Sequence, residues 1–416
     1  MNVLDSSQEF PVQLVPLPQF ADLAEREAAA LGVAGPRLNG SIITGYADWK
    51  TAYILAYQSR LAMRILAPLL TDRIRNRDEL YASALKIQWH KLLNADVTFA
   101  VEVQGRHNAF TKLGFAALVV KDAIVDECRQ KTGNRPSVDT HDPDVRIHLF
   151  LSNTGDSILS LDLGSGSLHR RGYRHADAQA PLSEVLAASI LEYVGYAPKR
   201  PLLDPFCGYG TILMEAGMRL LAVPAGYYRM QHFSPLPGFG DIKTWQAVKS
   251  SALEQMDRRI EQASRTSQPY LYGRDIDNAA VQGTIEVLQQ LPYTENIYDI
   301  QQQDARNLTC PVELQDRPGL LVTNPPYDER LKTPDIEQLY ESFSLSAKQA
   351  LPDWSIHVLT GSTAGIKSFG LRTKDRLQLY NGPISCTLLS ADILAPRHGS
   401  PRHGSTGTHT ELPGDV

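Results

Sequence analysis

Runs of apolar residues in this chain alternate between a period-two spacing, typical of strands, and a helical spacing. Before Gly172 the pattern predicts strands at 12–17, 41–44, 98–103, 146–151 and 158–163, and helices at 20–31, 49–70 and 110–131. Gly133 follows the last of these helices, where a glycine commonly ends a helix. The turn at 153–156 predicts that the last two strands pair with each other. The N-terminal half is therefore expected to form one or two small α+β units.

Beyond Gly172, strands and helices alternate more regularly. Strands are predicted at 201–206, 270–276, 297–301, 319–323, 355–360, 376–380 and 384–391, and a helix at 182–193 with Pro181 at its first position. Helical stretches separate most of these strands, which is typical of a doubly wound, mostly parallel α/β sheet. The last two strands have no long helix between them, so they are expected to form an antiparallel hairpin at the sheet edge.

The composition fits a folded, soluble protein of two or three domains. The chain has 416 residues, of which 43% are hydrophobic and 21% are charged, so a disordered chain is excluded. Its four cysteines form no CxxC pair, which argues against a zinc ribbon, and no metal site is expected. The absence of a signal peptide or an uncharged span makes the cytoplasm the expected location. The tail from Pro396 carries PRHGS twice and is expected to be disordered.

Charge is distributed unevenly along the chain. The total is 41 − 46 = −5, yet residues 44–136 hold 14 Lys and Arg against 9 Asp and Glu. Residues 181–416 hold 21 against 26. A mildly basic N-terminal half joined to an acidic C-terminal half permits a polyanionic partner on one side only.

The sharpest motif is DPFCGYGT at 204–211, which lies between a predicted strand and a predicted helix. A strand, a glycine turn and a helix start form a cradle where the backbone can approach a ligand closely. The motif lacks the Gly-Lys-Ser/Thr of a Walker loop and the spacing of a dinucleotide fingerprint. An acidic residue at the strand end suits a cationic or polar ligand better than a phosphate. The residues singled out in this motif are Asp204, Phe206, Gly208, Gly210 and Thr211.

Carboxylates follow the next two predicted strands. Asp275 and Ile276 lie in GRDID, and a carboxylate at this strand tip can hold two ribose hydroxyls. The usual separation from the glycine loop is about 20 residues. Here it is about 65, so an insertion that includes 227–240 is expected beside the site. Asp304, followed by Ala305, could accept a hydrogen bond from an adenine amine or simply cap its loop.

The third motif is Asn324-Pro325-Pro326-Tyr327, directly after the strand at 319–323. Two prolines fix a rigid, extended turn that holds an amide and an aromatic ring at the strand end. The amide oxygen and a backbone carbonyl can accept hydrogen bonds from an exocyclic amine and so aim its lone pair at an electrophile. Tyr327 is expected to stack on a base that has been flipped out or unpaired.

DPFCGYGT, GRDID, QQDA and TNPPY, in that order, resemble the motifs of S-adenosylmethionine-dependent amino-methyltransferases. NPPYDERL, RRGYR at 170–174 and APLSEVLAA at 180–188 are similar, more closely, to the THUMP-domain RNA guanine-N2 methyltransferases, in particular the RlmL-like enzymes of bacterial large-subunit ribosomal RNA. The resemblance extends over residues 10–395 and includes KDAIVDE at 121–127 and RPSVD at 135–139. Tyr209 stands where this family usually has a small residue, and Asp328 where it usually has a glycine.

The resemblance implies a Rossmann-like S-adenosylmethionine methyltransferase domain at 171–395. It would be preceded by a ferredoxin-like region at 1–75 and a THUMP RNA-binding domain at 76–170, and followed by the tail at 396–416. The implied reaction is methyl transfer from S-adenosylmethionine to the N2 amine of a guanine in large-subunit ribosomal RNA. The implied contacts are those of Asp204, Gly208 and Gly210 with the methionine part of the cofactor, Asp275 with its ribose, Asp304 with its adenine, and Asn324 and Tyr327 with the target base.

Three alternative functions share these motifs: a transfer-RNA guanine-N2 methyltransferase, a DNA adenine-N6 methyltransferase, and a non-catalytic RNA-binding assembly factor. If the partner is RNA, its phosphates could be bound at the join of the two halves by Arg170, Arg171 and Arg174. The same arginines could instead form ion pairs with neighbours such as Asp162 and Asp177.

Overall fold

The computed structural model describes residues 8–94, 96–164, 166–174, 182–230, 240–315, 317–327 and 336–394. The N-terminal half holds β1 (Phe10–Pro16), α1 (Ala21–Ala30), β2 (Ala34–Asn39), β3 (Ile42–Ala47), α2 (Trp49–Gln58), β4 (Ala62–Arg73), α3 (Arg77–Ala84), β5 (Thr98–Gly105), α4 (Leu113–Thr132), β6 (Ser137–Val138), β7 (Val145–Leu151) and β8 (Asp156–Asp162). Gly133 ends α4 in a left-handed conformation, as the sequence predicts.

These N-terminal strands form one continuous sheet. Within the described residues its order is β2-β3-β1-β4-β8-β7-β5-β6. The long strand β4 joins the ferredoxin-like and THUMP stretches, because it pairs antiparallel with β1 on one side and with β8 on the other. The hairpin of β7 and β8 is also antiparallel, as predicted. The α2 and α4 helices pack into the same apolar cluster as the sheet.

The predicted helix at 49–70 is wrong over its second half. The α2 helix ends at Gln58, and Ala62–Arg73 forms the twelve-residue strand β4. The apolar residues of this stretch fit a helical spacing, yet the strand gains two hydrogen-bonding neighbours that local spacing cannot reveal. Pro68 is tolerated because the register with β8 shifts between Pro68 and Leu70.

The C-terminal half is built on a second sheet. Its elements are α5 (Glu184–Tyr193), β9 (Leu202–Asp204), α6 (Thr211–Leu220), α7 (Ile242–Ser264), β10 (Leu271–Asp275), α8 (Asn278–Leu288), β11 (Tyr298–Gln302), β12 (Leu320–Thr323), α9 (Ile336–Ala350), β13 (Ser355–Thr360), α10 (Thr363–Ser368), β14 (Thr373–Asn381) and β15 (Ile384–Asp392). The α5 helix begins three residues beyond Pro181, which lies outside the described residues, as does the tail from Pro396.

This second sheet has the order β11-β10-β9-β12-β13-β15-β14 in the described part of the chain. The first five strands in that order are parallel, and β14 and β15 form the expected antiparallel edge hairpin. One apolar cluster covers the face under α5, α6 and α8, and another covers the face under α9. The predicted Rossmann-like architecture is therefore confirmed.

The long insertion between the glycine turn and Asp275 braces the two halves. Its helix α7 packs on α2, with the Trp245 ring 5.8 Å from that of Tyr53 and 5.3 Å from that of Tyr57, centroid to centroid. Arg229 reaches from the same insertion to the carbonyl oxygen of Ala56 at 2.8 Å. The α7 helix of the insertion therefore packs against the N-terminal half. Part of the predicted stretch, residues 231–239, lies outside the described residues.

No helix in the described ranges is both long enough and apolar enough to cross a lipid bilayer.

Candidate active site at the carboxyl edge of the second sheet

Four neighbouring parallel strands end at one edge of the second sheet. Their order is β11-β10-β9-β12, and the carboxyl ends of parallel strands lie at the same edge. Asp204, Asp275 and Asn324 stand at or directly after three of these strand ends, and Asp304 follows the fourth by two residues. The fold therefore brings together the three motifs found in the sequence.

The turn after β9 requires its two glycines. Gly208 and Gly210 have φ values of +52° and +77°, which other residues rarely adopt. A Cβ added to Gly210 would come within 3.0 Å of Thr284 on α8. The Thr284 hydroxyl donates to the Gly208 carbonyl oxygen at 2.6 Å, so α8 holds the turn in place. Thr211 then begins α6, whose first amides point toward this turn.

Tyr209 occupies its position because α8 provides a matching gap. A Cβ added to Gly283 would lie 2.5 Å from the Tyr209 ring, so the ring packs against this glycine. The large residue at 209 is therefore accommodated against α8. The second departure, Asp328, lies outside the described residues.

Asp275 links β10 to the glycine turn. Its Oδ2 accepts a hydrogen bond from the Gly208 amide at 2.9 Å, and its Oδ1 accepts one from the Asp277 amide at 3.0 Å. Burial raises the pKa of this carboxyl above its ordinary value, and these two amide donors oppose the rise. Next to it, the Ile276 side chain is 59% exposed. A fixed carboxylate beside an accessible apolar side chain suits a ligand with hydroxyl groups and a flat ring.

Asp204 lies deeper than a ligand-facing role requires. The residue is 2% exposed, and its Oδ1 accepts hydrogen bonds from the Thr323 hydroxyl at 2.6 Å and from the Phe206 amide at 3.2 Å. Burial raises its pKa to about 7. Through Thr323 this carboxyl joins the end of β9 to the end of β12, directly before Asn324.

Asp304 acts as a loop cap. Its Oδ1 accepts a hydrogen bond from the Arg306 amide at 2.9 Å at the start of the short 3-10 turn Ala305–Asn307. The Arg306 guanidinium also binds the carboxylate, since its Nη2 donates a hydrogen bond to Oδ2 at 2.6 Å. These bonds hold the pKa of Asp304 below its ordinary value. Of the two roles considered from the sequence, the structure displays the cap.

The Asn-Pro-Pro-Tyr turn positions the Asn324 amide through Tyr327. The Tyr327 hydroxyl donates to Asn324 Oδ1, and the Cys386 thiol lies 3.7 Å from the same hydroxyl. The Tyr327 ring is 6% exposed and packs against Gly361, where an added Cβ would lie 3.2 Å from it. Asn324 is half-buried. The predicted stacking of Tyr327 on a base does not fit this arrangement, since the ring offers little face to the site.

The three arginines at the join differ in their surroundings. Arg171 is 1% exposed, with Nε 3.4 Å from Glu215 Oε1 and Nη2 2.8 Å from the Arg60 carbonyl oxygen. The prediction that Arg171 binds phosphate is therefore wrong, because its guanidinium is buried and already bound to groups inside the protein. Arg174 pairs with Glu184 at 2.7 Å, whereas Arg170 is exposed. The ion pairs do form, but with Glu215 and Glu184. Asp162 pairs instead with Arg64, and Asp177 lies outside the described residues.

Sequence reasoning missed residues that support the site. Thr284 holds the glycine turn through its hydrogen bond to Gly208. Gly283 leaves room for the Tyr209 ring, and Arg306 binds the Asp304 carboxylate. Nothing in the local sequence of these residues signals their roles. Thr323 was visible only as the last residue of a strand. In the ranges that the structure covers, no group of three or more His, Cys, Asp or Glu side chains could hold a metal ion.

The sheet order and the glycine turn with its paired carboxylate define a Rossmann-like cofactor-binding domain. The model of the RMKL-like methyltransferase domain matches residues 171–390, and the THUMP domain model matches residues 75–160. The chain belongs to the RMKL-like methyltransferase family.

Curated relatives extend the similarity across both halves. The chain is 36% identical over 373 residues to the ribosomal RNA large subunit methyltransferase K/L of Pseudomonas syringae pv. tomato. The aligned region covers 88% of this chain and 49% of that protein. It is also 36% identical over 397 residues to the protein of the same name from Allochromatium vinosum, covering 91% and 51%. The chain thus spans about half the length of these relatives.

Solved structures share the fold. A "possible methylase" from Clostridium difficile 630 superposes with a TM-score of 0.78 at 23% identity, covering 94% of this chain and all of that one. A structure described as a predicted N6-adenine-specific DNA methylase from Listeria monocytogenes superposes with a TM-score of 0.76 at 22% identity. That superposition covers 92% of this chain and 96% of the other. At this identity the likeness establishes the fold alone.

Proposed function

We propose that this chain transfers a methyl group from S-adenosylmethionine to the exocyclic N2 amine of a guanine in large-subunit ribosomal RNA. The observation that carries the proposal is the placement of Asp275 and Asn324 at one sheet edge, on strands that flank the glycine turn after β9. The curated relatives, matched across both halves, support the ribosomal substrate. Such a substrate places the protein in the cytoplasm.

The residues around the glycine turn fit S-adenosylmethionine. A Cβ added to Gly208 would meet nothing within 4 Å, so there is open space over the turn. Asp275 would accept hydrogen bonds from the ribose hydroxyls, and Ile276 would pack on the adenine. Gly210 and the first amides of α6 would lie near the methionine part. Asp304, already bound to Arg306, would have only its remaining lone pairs for the adenine amine.

Asn324 would hold the target amine. Its Oδ1 has two lone pairs, of which the Tyr327 hydroxyl takes one, so the second can accept an N–H of the base. The Pro325 carbonyl oxygen would accept the other N–H. These two bonds orient the nitrogen lone pair toward the methyl group. Tyr327 would therefore serve as a positioning residue, because its hydroxyl fixes the rotamer of the Asn324 amide.

The reaction is an in-line displacement. Bound at this edge, S-adenosylmethionine would supply a methyl group made electrophilic by its sulfonium; as the new N–C bond forms the C–S bond would break, and S-adenosylhomocysteine would leave. Asn324 and Pro325 would hold the amine nitrogen in line with that methyl, and most of the rate gain would come from this positioning. The methylated nitrogen loses its proton to water, since the ammonium is acidic and needs no strong base. Asp204, linked to Thr323, would keep the β9 and β12 ends in register during the reaction.

The test offers the purified full chain, with labelled S-adenosylmethionine, to ribosomal RNA, transfer RNA and duplex DNA in parallel. We expect N2-methylguanine in the ribosomal RNA on nucleoside mass spectrometry. Label in transfer RNA alone would reassign the substrate. Label as N6-methyladenine in DNA, with none in either RNA, would overturn the proposal, and no label with full cofactor binding would favour the non-catalytic alternative.

A further inference from the structure

A cavity of about 380 Å³ lies at the join between the two halves of the chain. The N-terminal half contributes the end of α1 and the segment between α2 and β4 to its wall, and the C-terminal half contributes the end of α6 and one side of α7. We call it the join cavity, and its polar lining consists of Glu27, Gln58, Arg60, Arg219, Gln255 and Arg259. The described residues that line it do not include Asp204, Asp275 or Asn324, so it is separate from the candidate active site. Its volume is in the range of small-molecule sites.

Arginines from separate segments of the chain converge on this cavity. Arg60 lies between α2 and β4, Arg219 lies in the last turn of α6, and Arg259 lies on α7. Gln58 and Gln255 add side-chain amides to the same lining. Guanidinium groups are fixed cations with N–H donors that match the oxygens of phosphate and carboxylate groups. The lining therefore favours an anionic ligand.

The carboxylates beside the cavity are already bound to other groups. Glu27 is the acid among the described lining residues, and it accepts hydrogen bonds from the Ser59 hydroxyl at 2.7 Å and the Arg60 amide at 2.9 Å. Glu192 forms an ion pair with Arg219. Arg219 can bind Glu192 and a ligand together, since a guanidinium has several N–H donors. The acids thus leave part of the positive charge of the lining uncompensated.

Arg259 faces the cavity from a side of α7 that holds no acid. It is half-buried, and within the described ranges it forms no ion pair, whereas its neighbour Arg258 is exposed and lies 3.9 Å from Glu254. At 3.6 residues per turn, Glu254, Asp257 and Glu261 lie about 140° or more around the helix axis from Arg259. The guanidinium of Arg259 is therefore available to a ligand in the cavity.

Arg60 adds positive charge behind the cavity wall. Its Nη2 donates to the Val223 carbonyl oxygen at 2.5 Å, and its Nη1 is buried without a hydrogen-bond partner in the part of the chain that the structure describes. Burial lowers the pKa of Arg60, attraction to Glu215 opposes this effect, and repulsion from Arg219 adds to it. An anion in the cavity would offset that repulsion, because charges interact more strongly where the protein partly excludes water.

We propose that the join cavity binds a small, free, multivalent anion of the phosphate-ester or diphosphate class. Arg219 and Arg259 would donate to its oxygens, and Arg60 would supply charge from behind the wall. A free anion fits better than an RNA strand, because segments from both halves enclose a volume suited to one small molecule. Bound there, the anion would contact both halves and stabilise the join. This inference does not rest on the proposed methyl transfer.

The experiment compares two single variants of the full chain on the same helix. Arg259→Gln removes a cation that lines the cavity, and the control Arg258→Gln removes its exposed neighbour outside the lining. Inorganic diphosphate is titrated at constant ionic strength by calorimetry and by thermal unfolding. Saturating S-adenosylhomocysteine is present throughout, so that the glycine turn and the start of α6 cannot take the diphosphate. Unfolding without diphosphate checks that both variants fold.

Diphosphate at about 100 times its Kd should raise the melting temperature of the wild type by about 5–10 °C. Arg259→Gln should weaken diphosphate binding by about 10-fold or more, because a charge-assisted hydrogen bond is lost. Arg258→Gln should bind within about 2-fold of the wild type. A second variant, Gln255→Glu, keeps every cation but adds a carboxylate to the lining, and it should also weaken binding by about 10-fold.

Three results would overturn the proposal. The first is a wild type that binds no diphosphate saturably in the presence of S-adenosylhomocysteine. The second is equal diphosphate affinity for Arg259→Gln, Gln255→Glu and the control. The third is displacement of bound diphosphate by a short single-stranded RNA at the same phosphate concentration, which would assign the cavity to the RNA backbone.

Discussion

Arg170 and Arg171 are neighbours of the same type with opposite environments, which makes them a sharp test of the fold. Arg171 is 1% exposed and donates to Glu215 and to the backbone carbonyl oxygens of Leu168 at 3.1 Å and Arg60 at 2.8 Å. Arg170 is exposed. We predict that Arg171→Met destabilises the protein strongly, whereas Arg170→Met has little effect.

The magnitude follows from what remains in the core. Methionine keeps most of the side-chain volume, but the Glu215 carboxylate stays buried, with the Tyr173 hydroxyl donating to it at 2.9 Å. Removing one partner of a buried ion pair costs about 3–5 kcal/mol. At about 2–4 °C per kcal/mol for a domain of this size, the melting temperature should fall by about 6–20 °C. An exposed substitution such as Arg170→Met should stay within about 0.5 kcal/mol.

The assay is thermal unfolding followed by circular dichroism, with urea unfolding as a second measure. The double variant Arg171→Met/Glu215→Gln should recover much of the loss, because it removes the stranded charge and keeps an acceptor for Tyr173. Cofactor affinity at permissive temperature should be unchanged. If Arg171→Met melted within a degree or two of Arg170→Met while losing RNA affinity, the guanidinium would be a phosphate ligand and the burial argument would be refuted.

Three further predictions concern the catalytic edge. Asp275→Ala should lose charge-assisted hydrogen bonds worth about 1.5–3 kcal/mol, or about 10- to 150-fold in S-adenosylmethionine affinity by calorimetry; unchanged binding would remove it from the site. Asn324→Ala should retain cofactor binding yet slow methyl transfer by more than about 100-fold in a single-turnover assay with saturating RNA, and a near-normal rate would contradict its role. Burial raises the pKa of Asp204 to about 7. Between about pH 4 and pH 7 the folded state therefore binds more protons than the unfolded state. The free energy of unfolding should fall as the pH rises through this range, by at most about 1.4 kcal/mol per pH unit. Asp204→Asn should therefore gain stability relative to the wild type from pH 5 to pH 8 in urea unfolding; a pH-independent difference would show that Asp204 is ionised in the fold.

The local sequence predicts the C-terminal sheet well because most of its strands are short runs bounded by helices or turns. Each of the seven predicted strands from 201 to 391 overlaps an observed one. The motifs at residues 204–211, 273–277 and 324–327 all lie at or near strand ends, and parallel strands bring those ends to one edge. The placement of the motifs thus follows from local patterns and from one topological rule.

Tertiary structure alone decided the rest, because the deciding partners are distant in sequence. The stretch after Gln58 becomes a strand only by pairing with β1 and β8, and its helical spacing misleads. Arg171 is buried because Glu215 and backbone oxygens near Arg60 meet it at the join, while the identical residue before it remains in solvent. Tyr327 turns inward because Gly361 leaves room for its ring. Burial and pairing depend on contacts with residues that are distant in sequence. Residue type and local spacing do not specify those contacts.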